Sequence, residues 1–156
     1  MLPPGFFGTD ADLLIDVIIL ALPVVLAVMA YAWRAARSKR WTLHRNVQTA
    51  LAAVLFVVVG ALEVDLQLRG GFEGLVSAER GVSPLARTVL RVHLAFSVST
   101  ALVWTALIGA SWWRFPSPPR PSSFSRFHRV GGWLGLILMT GTVLTGAGFY
   151  AVLFVV

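Results

Sequence analysis

The chain has 156 residues, 57% of them hydrophobic and 13% charged, with a formal net charge of +6 and no cysteine. It is too apolar for an ordinary soluble domain, and its apolar residues come in long runs, the pattern of membrane-crossing helices. The lack of cysteine excludes disulfides, thiolate metal ligands and covalent c-type haem attachment. The positive charge does not point to nucleic acid, because the basic residues sit in short loops beside apolar runs, where a membrane surface accounts for them.

Met1 to Thr9 holds Pro3, Pro4, Gly5 and Gly8 with Phe6 and Phe7. It lacks the basic start and small-residue cleavage site of a signal peptide and reads as an ordered or interfacial arm. A first span is expected over about Ala11–Trp33, with Asp10 or Asp12 as its N-cap, Pro23 as a kink and Asp16 one turn inside the apolar run. Tyr31 and Trp33 form an interfacial belt at its end. A basic turn follows with Arg34, Arg37, Lys39, Arg40 and Arg45. The second span runs over about Asn46–Leu68 and carries Glu63 and Asp65 near its far end. A loop over 69–85 contains Gly70, Gly71, Gly74, Gly81 and Pro84, with room for one short helical turn. The third span, about Ala86–Trp113, ends in Trp112, Trp113 and Phe115. A proline-rich connector begins at Pro116. The fourth span, about Val130–Val155, has Gly131, Gly132, Gly135, Gly141, Gly146 and Gly148 as small faces for close helix packing. The expected fold is therefore all-α, a single four-helix integral membrane bundle.

Topology follows from the charges. The connectors after the first and third spans hold Arg34, Arg37, Lys39, Arg40, Arg45, Arg114, Arg120, Arg126 and Arg129, and no acid. The seven acids, Asp10, Asp12, Asp16, Glu63, Asp65, Glu73 and Glu79, fall at the other ends of the spans. The positive-inside rule puts both basic connectors in the cytoplasm and both termini on the non-cytoplasmic side, in what reads as a bacterial cytoplasmic membrane.

At a rise of about 1.5 Å per residue, Asp16, Glu63, His93 and Tyr150 lie about 27–32 Å from the basic edge, one from each span. Asp65 stands slightly further out and Arg91 is close to His93. If these groups converge, Asp16, Glu63, Asp65 and His93 make an oxygen-and-nitrogen site for a divalent metal such as iron, zinc, manganese or copper, or a proton-handling site. They are also readable as headgroup-zone residues pairing with Arg87, Arg91 or water, or as a buried polar network. At the basic edge, His44 and His128 open the second and fourth spans, each followed by an arginine. Two such imidazoles read as interfacial residues touching lipid phosphate, with the axial clamp of a b-type haem or a metal ion as the alternative.

With these residues placed, the chain resembles the small four-helix membrane family that includes the CtaM-type cytochrome oxidase assembly factors. The pieces that carry the resemblance are Gly8-Thr9 followed by Asp16, Leu43-His44-Arg45-Asn46, His93-Leu94-Ala95, His128-Arg129 with Trp133, and Thr145-Gly146 with Tyr150. Each is short, and their joint order spans nearly the whole chain. The family carries a histidine near the outer end of its second span, where this chain reads Ala61-Leu62-Glu63-Val64-Asp65. The resemblance implies an accessory role in building a haem–copper respiratory oxidase, with oxidase subunits as partners.

Three functions therefore stand side by side: an oxidase assembly factor, a haem- or metal-binding redox protein, and a small structural subunit of a larger membrane complex, with membrane lipid around each and a homo-oligomer open. Catalysis is not expected, since no Walker-type loop, His-Glu-x-x-His, nucleophile elbow or nucleophile–base pair is readable. Four spans without an internal repeat do not suggest alternating-access transport.

Overall fold

In the computed structural model, residues 3–75 and 82–155 are described; Glu79 and Gly81 of the expected loop lie outside them. Four long helices account for most of the described chain: α1 over Leu13–Arg37, α2 over Trp41–Leu68, α3 over Pro84–Arg114 and α4 over Ser125–Tyr150. A 3-10 turn over Phe72–Leu75 precedes α3, and a π-turn over Ala151–Val155 extends α4. All four are long and apolar enough to cross a membrane. Only an isolated bridge between Pro4 and Asp12 has β character among the described residues.

The helices are longer than the apolar runs. α1 continues through Pro23 and past Trp33 into the basic stretch, and α2 begins at Trp41, so the basic turn narrows to Ser38, Lys39 and Arg40. α4 likewise begins before Val130. The reason is local: arginine and lysine are good helix formers, and Arg34 and Arg37 sit favourably against the negative C-terminal end of α1. Of the two expected caps of α1, Asp12 is the one used, accepting from Ile15 N at 3.1 Å. Ser83 caps α3 with Pro84 in its first turn, where a missing backbone donor has no consequence.

α3 packs most closely on α4, α1 on α2, and α1 on α4. The glycines of α4 explain the first contact only in part. A Cβ at Gly141 would run into the Phe96 ring, at Gly131 into Leu107, and at Gly146 towards the His93 ring. Gly132, Gly135 and Gly148 face open space. α2 buries none of its residues and touches α3 only lightly.

Two apolar clusters hold the bundle. One, at the end where the acids gather, joins Ala11, Ala86, Tyr150, Leu153 and Phe154. The other, nearer the basic end, joins Val25, Met29, Trp104 and Met139. Since lipid tails are as apolar as these side chains, close packing and interhelical hydrogen bonds set the association. The polar links are accordingly specific: Thr100 and Thr142 hydroxyls 2.9 Å apart between α3 and α4, and Trp104 Nε1 donating to Gln48 Oε1 at 3.0 Å between α3 and α2.

Candidate functional site

At the acidic end, Asp16 is fully buried, 0% exposed. A carboxylate at that depth is costly unless donors meet it. Three do. Oδ2 accepts from the backbone N–H groups of Phe6 at 2.7 Å and Phe7 at 2.9 Å, and Oδ1 accepts from the Tyr150 hydroxyl at 2.9 Å. Tyr150 in turn accepts from Thr9, 3.0 Å away. The N-terminal arm folds back over α1 to make this possible. Leu13 N donates to Pro3 O and Gly5 N to Ala11 O, both at 3.0 Å. Gly5 lies so close to the Asp16 carboxylate that a side chain there would overlap it. Phe7 then covers Tyr150 edge-on, with centroids 6.5 Å apart. Asp16 therefore binds the chain's own arm and spends its lone pairs doing so.

The other residues of the expected acidic-end site go elsewhere. Glu63 is exposed on α2 and accepts from Gln67 of the same helix at 2.7 Å. Asp65 pairs with Arg69 at 2.8 Å, and Arg69 also bridges to Asp12, which ties the end of α2 to the start of α1. Burial works against the Arg69 charge, but the hydrogen bond and charge of Asp65 and the charge of Asp12 outweigh it, holding the guanidinium above its ordinary value. Arg87 pairs with Glu73 at 3.0 Å. His93 donates from Nδ1 to Thr145 Oγ1 at 3.1 Å, since the Thr145 proton is committed to Gly141 O at 2.6 Å. Asp16, Glu63, Asp65 and His93 are thus divided among separate networks. Among the described residues no three His, Asp or Glu side chains gather as a metal-holding group. The depth match placed these residues in one layer; it carried no information on the direction each faces around its helix.

The basic end does bring its pair together. His44 of α2 and His128 of α4 meet with ring centroids 6.0 Å apart and planes at 85°. Each is held from a third and fourth helix. His44 Nδ1 lies 2.9 Å from Ala32 O of α1, a carbonyl that can only accept, so Nδ1 carries the proton. His128 Nδ1 lies 2.9 Å from Ser111 Oγ of α3. That hydroxyl gives its own proton to Leu107 O at 2.6 Å, so here too Nδ1 donates. In the neutral ring this leaves Nε2 as the lone-pair nitrogen of each. Ala32, at 0% exposed, and the buried Ser111 flank the rings, while Phe115 and Phe124 pack on His128 at centroid distances of 5.4 and 6.3 Å.

Around this pair lies an aromatic–cationic girdle. Arg45 stacks over Trp112 at 4.1 Å and Arg37 over Trp33 at 4.8 Å. Trp112 Nε1 donates to Thr49 at 3.0 Å, and Trp33 meets Trp133 at 6.0 Å. Aromatic rings and arginines of this kind belong at a membrane interface. The sequence reading overlooked Ser111 and Arg69, and reached Thr145 only through the resemblance. Arg69 was visible as the i+4 partner of Asp65; Ser111 carries no sequence signal, because a serine that bonds back to its own helix looks like any other. Comparison of the chain with models of known protein families, with curated proteins and with solved structures returned no match in any of the three.

Proposed function

We propose that this chain is a non-catalytic accessory factor for assembly of a haem–copper respiratory oxidase, acting within a bacterial cytoplasmic membrane with both termini on the non-cytoplasmic side. One observation supports the reading beyond the resemblance itself. The short pieces that carry it are the ones that find each other across the bundle: Thr9 and Asp16 with Tyr150, His44 with His128, His93 with Thr145. A set of motifs held in common for packing and for a polar site behaves this way; a chance scatter of short matches has no reason to.

Deletion of the coding sequence in its host tests the role. The expected result is loss of oxidase activity and of the oxidase absorption band with oxidase transcripts unchanged, restored by the full chain. Undiminished oxidase activity in the deletion strain rejects it. Orientation is tested separately, using the absence of native cysteine. Ser123→Cys is expected to be shielded from an impermeant thiol reagent in intact cells, and Glu73→Cys to be labelled.

A further inference from the structure

The two imidazoles at the basic end lack a counterpart. His44 Nε2 and His128 Nε2 have no hydrogen-bond donor among the described residues, while both Nδ1 atoms are anchored to acceptors that fix the tautomer. An Nδ1–H donated to a carbonyl or hydroxyl, leaving Nε2 bare, is the arrangement by which proteins orient histidine ligands towards a metal. The rings come from opposite corners of the bundle and are braced by the remaining two helices. Their 6.0 Å centroid separation is the span that two rings cover when one ion lies about 2 Å from a nitrogen of each.

We propose that His44 and His128 form a two-coordinate site for a monovalent copper ion. The donor set selects the ion. Two neutral nitrogens and no carboxylate cannot satisfy zinc, which takes four ligands, or the oxygen-seeking magnesium and manganese. The described acids lie at the far ends of the helices, and Arg45 and Arg129 are sequence neighbours of the two rings, so a second positive charge on the ion would go unbalanced. Copper(I), a closed-shell ion content with two nitrogen donors in a near-linear arrangement, asks for no counter-charge ligand and no further coordination. Phe115 and Phe124 pack against the His128 ring and hold its orientation. The assignment stands on these side chains alone and holds whichever complex the chain serves.

The test is copper(I) binding to the full chain in mild detergent under reducing conditions, with a chromophoric copper(I) chelator as competitor. One copper per chain is expected, with zinc not retained. Asparagine is the informative replacement, because its amide places a donor where Nδ1–H stood and nothing where Nε2 stood. His44→Asn and His128→Asn are each expected to lose copper at least about 10-fold while keeping helical content, and Ser111→Ala, which frees the His128 tautomer, to weaken it about 10-fold. Undiminished binding in either asparagine variant, or no copper held by the wild type, overturns the site. Nitrogen-15 NMR of the unaltered protein decides even if the variants do not fold. Copper(I) must shift Nε2 of His44 and His128 and leave His93 in place. Shifts that follow pH but ignore copper identify a proton shared by the pair and refute the metal.

Discussion

The two ends of the bundle handle buried polarity in opposite ways. At the acidic end a carboxyl group, Asp16, is enclosed with 0% exposure and met by three donors, from Phe6, Phe7 and Tyr150. At the basic end two imidazole rings meet with their Nε2 atoms unpartnered among the described residues. The carboxyl group had to be met from within, because taking it out of water without donors is costly. The rings, at less complete burial, carry a smaller demand, so the fold tolerates them incompletely satisfied. A closed network is what a structural clamp requires. An open one is what a binding site requires. Stability should therefore depend on the acidic end and ligand binding on the basic end.

The comparison breaks most readily at Asp16. Asp16→Ala strands the Phe6 and Phe7 N–H groups and the Tyr150 hydroxyl, and should lower stability by about 3 kcal/mol, with the arm released to protease. Thermal unfolding in detergent with limited proteolysis measures both. A variant that melts like wild type would return Asp16 to the role of a free ligand. Gly5→Ala reaches the same clamp from the arm side: its Cβ has no space beside the carboxylate, and a loss of about 1–3 kcal/mol is expected. Tyr150→Phe keeps the ring against Phe154 and removes only the hydroxyl contacts, so about 1–2 kcal/mol should go. At the basic end the expected effect is smaller. His128→Asn keeps the donor to Ser111 and loses ring contacts with Phe115, at about 1 kcal/mol. If His128→Asn destabilised more than Tyr150→Phe, the basic end would be the structural one and the contrast would invert.

What the sequence revealed follows from what period and composition encode. Hydropathy located four spans because a membrane helix must be apolar along its length, and charge located the loops. Helix ends were misplaced by several residues, as at Trp41 and Ser125, because helix continues after the hydrocarbon stops and arginine does not break it. His44 and His128, set at the starts of two spans, lie beside each other in the bundle. The expected acidic-end cluster does not form: depth is one coordinate and angle around the helix is another. With α2 carrying no buried residue, its apolar pattern held no angular signal, and nothing in it distinguished an outward Glu63 from an inward Asp65. The arm was the other blind spot: Pro3 to Thr9 reads as a tail, and its use as a donor to Asp16 depends on a fold-back that no periodicity announces.

An effect as small sits at the rim of the clamp. Arg69 bridges Asp65 on its own helix end to Asp12 at the start of α1, with its side chain 22% exposed. A partly exposed pair contributes little in water, but here one guanidinium serves two carboxylates, and Asp12 is also the cap of α1. Arg69→Gln is expected to lower stability by about 1 kcal/mol. Arg69→Lys supplies one compact charge where two forked contacts are needed, and should recover about half of that. Salt separates the two ways of reading the bridge. If it is shielded from solvent as part of the Asp16 clamp, the difference between wild type and Arg69→Gln persists from low ionic strength to about 1 M, where screening reaches only about 3 Å. A difference that vanishes over that range would make the bridge an ordinary surface pair and shrink the clamp to Asp16, Tyr150 and the arm.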